Sequence, residues 1–273
     1  MVQTVFITGA SSGIGKSTAQ FFHDKGWNVV ATMRNPEQET DLNGLDNCFV
    51  TRLDVTDPQS IDAAVASAMA RYGRIDALVN NAGYGAFGPL EAFSLDRIQR
   101  QFDTNVIGLL AVTKAILPHF RARKTGVIVN ISSIGGRVSF PLGALYHGTK
   151  FAVEGITEAL QFELEAIGVR AKLIEPGSIK TDFRTRSVDQ ASEPSISEYL
   201  TVSKRRATPS QTPNAVQTMP DMVASTIFQA ATDLSFRLRY IVGEDAEQYM
   251  TLRRTLDDDD FYNAIKDRLG IMS

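Results

Sequence analysis

Short apolar runs alternate with stretches whose apolar positions recur at helical spacing, starting at residue 4. TVFITG (4–9) reads as a buried strand, followed by a helix over 13–25. NVVATM (28–33) is a second strand, and NCFVTRLDV (47–55) ends in a third. DPQSIDAAVASAMARYG reads as a helix, with Asp57 capping its start and Pro58 at its first position. IDALVNNAG (75–83) is a fourth strand running into a glycine turn, and 95–121 forms one long helix or two abutting ones. GVIVNISS (126–133), VRAKLIEPG (169–177) and RYIVG (239–243) supply the remaining strands, with a helix over 146–167 between the first two. Strands separated by helices of this length form βαβ units, and runs apolar on both faces belong to a parallel sheet covered on each side. The expectation is one α/β domain over 1–273: a doubly wound, seven-stranded parallel sheet with helices on both faces.

One segment breaks the pattern. Residues 182–220 are polar, proline-bearing and aperiodic. A long irregular stretch after the sixth strand lies where open α/β sheets bind ligands, so it is read as a substrate lid.

Composition narrows the classes. A net charge of −3 offers no basic field for nucleic acid or an anionic membrane. One cysteine, Cys48, excludes an internal disulfide and a cysteine-based redox or zinc motif. The first strand begins near the amino terminus, and no apolar stretch is long enough to span a bilayer, so a cytoplasmic location is expected. His23, His119 and His147 have no mutual spacing for a metal and are read as surface or helix residues; no metal site is expected. Asp257–Asp260 reads as a solvated helix start.

Candidate chemistry sits at two places. The first strand leads through Gly9-x-x-x-Gly13-x-Gly15 into a helix. Gly9 lets the chain leave the strand, while Gly13 and Gly15 admit close approach of backbone and phosphate. The helix start offers free N–H groups to a dinucleotide pyrophosphate, and Ser11 and Ser12 add hydroxyls. The second strand ends in Met33 and Arg34, where an acid would favour NAD; a guanidinium there favours the 2′-phosphate of NADP(H) over NAD(H). Asp54 can accept from the adenine amino group; at the end of the fourth strand Ala82 and Gly83 admit the adenosine half, while the amides of Asn80 and Asn81 hold neighbouring strands beside the cofactor.

The second place is Tyr146 and Lys150, one helical turn apart on one face. A phenol moved from about 10 to about 7 needs roughly 4 kcal/mol of extra stabilisation as phenolate, which a neighbouring lysine and a cationic nicotinamide can supply. Such a tyrosine exchanges a proton with a carbonyl or alcohol oxygen, and Ser133 bonds the same oxygen. Tyr84, Phe87, Phe140, Leu142 and Phe183 are candidates for an apolar pocket at its mouth.

With TGASSGIG (8–15), NNAG (80–83), Asn105, Ser133, Tyr146, Lys150 and PGSIKT (176–181), the chain resembles the short-chain dehydrogenase/reductase family over roughly residues 1–182. VVATMRNPEQ is most similar to the subgroup with 17β-hydroxysteroid and retinol dehydrogenases. The resemblance implies a Rossmann-type domain, homodimers or homotetramers, and a Ser133–Tyr146–Lys150–Asn105 catalytic set. In that set Lys150 binds the nicotinamide ribose and lowers the tyrosine pKa, and Asn105 holds a water linking Lys150 to solvent. It extends the cofactor contacts to Ile14, Val55, Tyr146, Lys150, Pro176, Gly177, Ile179 and Thr181, the last two through the nicotinamide carboxamide. A basic residue at position 12, frequent in NADP-preferring relatives, is replaced here by Ser12. The expected activity is reduction of a small or medium apolar carbonyl, or its reversal. The alternatives are an epimerase or dehydratase that retains its nucleotide, and a nucleotide-sensing module without turnover.

Overall fold

The computed structural model describes residues 2–181, 183–193, 195–199, 202 and 218–271. Nine strands occur among them: β1 (Thr4–Thr8), β2 (Asn28–Met33), β3 (Cys48–Arg52), β4 (Ala77–Asn80), β5 (Gly85–Phe87), β6 (Gly126–Ile131), β7 (Val169–Pro176), β8 (Val188–Gln190) and β9 (Arg239–Val242). Seven of them form one parallel sheet in the order β3-β2-β1-β4-β6-β7-β9. The alternation of side chains along β1 assigns the two faces. Val5 and Ile7 join one core with α1 (Gly13–Asp24) and α6 (Pro220–Thr232), through Phe22, Val223 and Ile227. Phe6 joins the other, with Ile61 of α2 (Pro58–Tyr72), Val112, Ile116 and Phe120 of α4 (Gly108–Arg123), and Leu164 of α5 (Ala144–Glu165). Helices α7 (Glu244–Thr255) and α8 (Asp258–Leu269) close the carboxyl-terminal region around Met250, Phe261 and Ile265.

Local signals set the boundaries. Asp57 accepts from the N–H groups of Gln59 and Ser60 at the start of α2, and Gly73 ends that helix with φ 71°. The third strand stops at Arg52, so Leu53, Asp54 and Val55 leave the sheet as a loop. The long helix after residue 95 is α3 (Leu95–Phe102) and α4 joined without a break by a π turn, Asp103–Ile107. β5 and β8 pair with each other in parallel, away from the main sheet. This pairing, with the ion pair of Arg97 and Asp189 at 2.5 Å, holds the described part of the expected lid. Residues 182, 194, 200–201 and 203–217 of that expected segment lie outside the described residues. No helix among the described residues is long and apolar enough to cross a membrane.

The strand order reverses between β1 and β4, which opens a crevice at their carboxyl ends. The glycine turn, the NNAG turn, Ser133 and the PGSIKT loop all leave the sheet at that end.

Candidate active site

The turn between β1 and α1 is built by backbone. Gly9 and Gly13 have φ of 68° and 53°, in the left-handed region that favours glycine. Gly15 is held by packing: a Cβ there would lie 2.3 Å from the Gly9 carbonyl oxygen and 2.5 Å from Asn81 Nδ2. Asn81 fixes the turn, donating from Nδ2 to the carbonyls of Thr8 and Gly9 at 3.0 and 2.9 Å. Thr8 Oγ1 accepts from the N–H groups of Asn81 and Ala82, both at 3.0 Å. Ser12 starts α1 without a side-chain cap, and no acid lies in the first helical turn. The N–H groups there, with their partial positive charge, suit an anion. Ser11 is exposed beside them, whereas Ile14 packs down onto the core. Thr181 lies across the turn, its Cγ2 3.4 Å from where a Gly13 Cβ would stand.

At the other end of the crevice Met33 is buried and Arg34 exposed. Arg34 makes no ion pair among the described residues, but its charge helps to hold Asp54 below the usual carboxylate range, after hydrogen bonds from Thr56. Those bonds occupy one oxygen, Oδ1, which accepts from the Thr56 N–H and hydroxyl at 3.0 and 2.8 Å. Val55 is buried against Gly108 of α4.

Tyr146 and Lys150 lie on the first turns of α5. The Tyr146 hydroxyl is hydrogen-bonded to that of Ser133, and Lys150 Nζ stands 5.8 Å from the tyrosine ring centroid. Ser133 Oγ accepts from the Gly135 N–H at 3.0 Å and donates to the Pro176 carbonyl at 3.4 Å, joining the ends of β6 and β7. Lys150 Nζ donates to the Ile131 carbonyl at 2.8 Å. Burial pushes the Lys150 ammonium down to about 8, against the charge of Glu154. Burial also pushes the Tyr146 phenol up, opposed by the Ser133 hydrogen bond. The lowering expected from Lys150 is not among these effects, and burial governs the phenol in the protein alone.

Asn105 lies in the π turn and is buried. It accepts from the Tyr84 N–H at 3.0 Å and donates to the Tyr84 carbonyl and Thr149 Oγ1 at 2.9 and 3.0 Å. Thr149 Oγ1 in turn donates to the Tyr146 carbonyl at 2.8 Å. Gly83 passes close to the same amide; a Cβ there would sit 3.1 Å from Asn105 Oδ1. A second buried amide ladder lies beneath: Asn80 Nδ2 donates to Asn130 Oδ1, and Asn130 Nδ2 to Thr157 Oγ1, both at 2.9 Å. These bonds tie α5 to the ends of β4 and β6.

The loop from Pro176 to Thr181 is held from outside the expected set. Ser178 N–H donates to Asp245 Oδ2 at 2.7 Å, and Gly177 leaves no room for a Cβ beside that carboxylate. Ile179 bridges to Thr218 and packs on the core.

His147 is a helix residue, as expected, and lies on a covered face of α5. It is buried, with Nδ1 bonded to the Gly135 carbonyl at 2.8 Å and Nε2 accepting from the Phe140 N–H at 3.1 Å. Gly135 and Gly143 both lie where a Cβ would strike its ring, so the loop between Ser133 and Tyr146 wraps around it. The flanking glycines in IGG and LGA were the available signal. Phe87 and Phe183 lie 5.2 and 6.1 Å from the Tyr146 ring, whereas Phe140 packs edge-on against Tyr249. Tyr84 packs with Ala86, Phe93 and Leu145, and Leu142 adopts a positive φ of 58°.

The sequence profile of the short chain dehydrogenase family matches residues 3–192. An uncharacterized oxidoreductase of Schizosaccharomyces pombe is 43% identical over 239 residues, covering 88% of this chain and 100% of its own. Human retinol dehydrogenase 8 is 38% identical over 70% of this chain and 63% of its own. Among solved structures, a short-chain dehydrogenase from Streptomyces avermitilis is 32% identical and superposes with a TM-score of 0.83, over 97% of this chain and 95% of that one. ElxO with NADP bound is 28% identical (TM-score 0.72, 88% and 98% covered). A 3-ketoacyl-(acyl-carrier-protein) reductase from Brucella melitensis complexed with NADH is 25% identical (TM-score 0.73, 88% and 96% covered). Sheet order, glycine turn and matched length agree: this chain belongs to the short-chain dehydrogenase/reductase family and is an oxidoreductase of that family.

Proposed function

We propose that the protein transfers hydride between NADP(H) and the carbonyl or secondary alcohol of a small or medium apolar molecule, with Tyr146 as general acid/base. The observation that carries this reading is the convergence of Ser133, Tyr146 and Lys150 at the carboxyl ends of β6 and β7, beside the glycine turn. The uncapped start of α1, free of acids and cleared by Gly15, fits a pyrophosphate. Exposed Arg34 fits a 2′-phosphate, and the likeness to ElxO with NADP bound supports that preference.

When bound, the cofactor supplies or accepts the hydride and, oxidised, a positive ring. This chain's residues handle the oxygen and the proton. The Ser133 hydroxyl donates to the substrate oxygen as charge gathers there, and Tyr146 delivers or removes the proton. Lys150, fixed by the Ile131 carbonyl, holds positive charge near the phenol and favours its ionised form. Asn105 and Thr149 keep the first turns of α5 in place. Phe87 and Phe183 shield the tyrosine and offer an apolar wall.

The described part of 182–220, fastened by β5 and β8, acts as the wall of the substrate mouth. Exposed Ile107, Phe151 and Phe162 on the outer surfaces of the π turn and α5 support self-association as a dimer or tetramer. Buried, unpaired Cys48, its thiol pushed up to about 11, suits a reducing cytoplasm. The test is cofactor oxidation against a panel of apolar ketones and aldehydes. Wild type consumes NADPH, and Tyr146→Phe loses at least about a hundredfold in kcat while still binding NADPH. Near-normal turnover in that variant rejects the mechanism.

A further inference from the structure

One helical turn beyond Lys150 lies a buried acidic cluster that the proposed chemistry does not use. Tyr146, Lys150 and Glu154 follow each other at i, i+4 and i+8 along α5. Glu154 is 4% exposed, and Glu175 on β7, next to Pro176, is fully buried. Two guanidiniums reach the pair. Arg239 of β9 donates from Nε to Glu154 Oε2 at 3.0 Å and stands 3.3 Å from Glu175 Oε1. Arg137, in the turn after Ser133, stands 3.5 Å from Glu175 Oε1. Glu158, largely exposed, takes the outer end of Arg239.

These ion pairs leave oxygens over. Among the described residues, Glu154 Oε1 and both oxygens of Glu175 have no donor, and the buried Ser132 hydroxyl makes no hydrogen bond. Ser132 Oγ and Glu154 Cγ border the same spot, 2.8 and 2.9 Å from where a Gly136 Cβ would be. Buried carboxylate oxygens without donors are costly. Two neighbouring carboxyls resolve the cost with a single proton, one donating and the other accepting.

We propose that Glu154 and Glu175 share one proton, and that this pair sets the protonation of Lys150 from one turn away. It rests on the role given to Lys150 above. Burial, then the charge of Glu154, pushes Glu175 up to about 7, and Glu154 in turn supports the Lys150 cation. The charged groups facing the pair are Arg137, Arg239, Glu158 and Lys150. Loss of the shared proton on raising the pH adds negative charge beside Lys150. The lysine then stays cationic further into the alkaline range. Glu154 and Glu175 are thus positioning residues, acting on the reaction through Lys150.

Infrared difference spectra of the cofactor-free full chain, from about pH 5 to about pH 9, read the pair directly. A protonated carboxyl band should disappear with a midpoint near 7 in wild type. It should be absent near neutral pH in Glu175→Gln, and its midpoint should fall by about one unit in Glu154→Gln. No carboxyl titrating above about pH 6 in wild type, or a band that survives Glu175→Gln, overturns the shared proton. In the pH profile of kcat, Glu154→Gln should move the alkaline limb down by about half a unit, and Glu158→Gln should leave it in place. An unmoved limb in Glu154→Gln overturns the coupling to Lys150. Retained turnover in Lys150→Met rejects the hydride-transfer mechanism instead, and the infrared titration still decides the pair.

Discussion

The two ends of the sheet treat buried charge in opposite ways. At the amino ends, Asp76 accepts from the Thr4 N–H, from Arg74 Nε and from an Arg123 guanidinium nitrogen, at 2.9, 2.8 and 3.0 Å. Arg123 also donates to the Ile75 carbonyl, and both oxygens of Asp76 are used. At the carboxyl ends, Glu175, Glu154 and Ser132 each keep a buried oxygen without a hydrogen bond among the described residues. Lys150 there has a single carbonyl as its hydrogen-bond partner among the described residues. The filled carboxylate at one end anchors β1, β4 and α4 to one another. Incomplete pairing at the other leaves groups whose charge can change, which is what proton transfer requires.

Substitutions at the two ends should therefore separate activity from stability. The largest effect is expected for Lys150→Met. It should cost about a hundredfold or more in kcat, and remove the alkaline limb expected of wild type as the ammonium is lost through about pH 8. Its melting temperature should stay level or rise, since a desolvated ammonium is removed. A fall in stability with turnover retained breaks the contrast.

Asp76→Ala should do the converse, costing about 2 kcal/mol in denaturant unfolding while kcat of the folded protein stays near wild type. Its partners hold the Asp76 carboxyl below its ordinary value, despite burial. That contribution is present above about pH 4 and lost as the pH falls further. The acid limb of stability should thus be shallower in the variant. The smallest effect is expected for Arg34→Asp, a roughly tenfold shift in kcat/KM from NADPH toward NADH. Unchanged selectivity would remove Arg34 from the cofactor site.

What could be read in the sequence was local. The strands announce themselves as short apolar runs, Asp57 and Gly73 bracket their helix, and the glycines before α1 mark a turn whose φ values only glycine adopts easily. Tyr146 and Lys150 needed only the helical repeat. The rest depends on distant segments. One surplus residue in the helix at Asp103–Ile107 leaves the apolar period almost unchanged, so the π turn had no signature. β5 and β8 are three residues each and lie about a hundred residues apart, too short and too separate for periodicity to pair them. Helical geometry fixes the direction of His147 around α5 but not what covers it, so its burial and its bond from the Phe140 N–H had no signal in the helical repeat. Glu175 had a faint signal: a lone acid inside the otherwise apolar end of VRAKLIEPG.

The π turn makes the register of this region unforgiving. Were it to relax into an ordinary α-helix by losing one position, everything after it would rotate by about 100° and slide by about 1.5 Å. The Asn105 amide would swing off Tyr84 and Thr149, and the start of α5 would lose its brace. Between Leu95 and Arg123 a change of length would therefore disturb the site more than most changes of residue type.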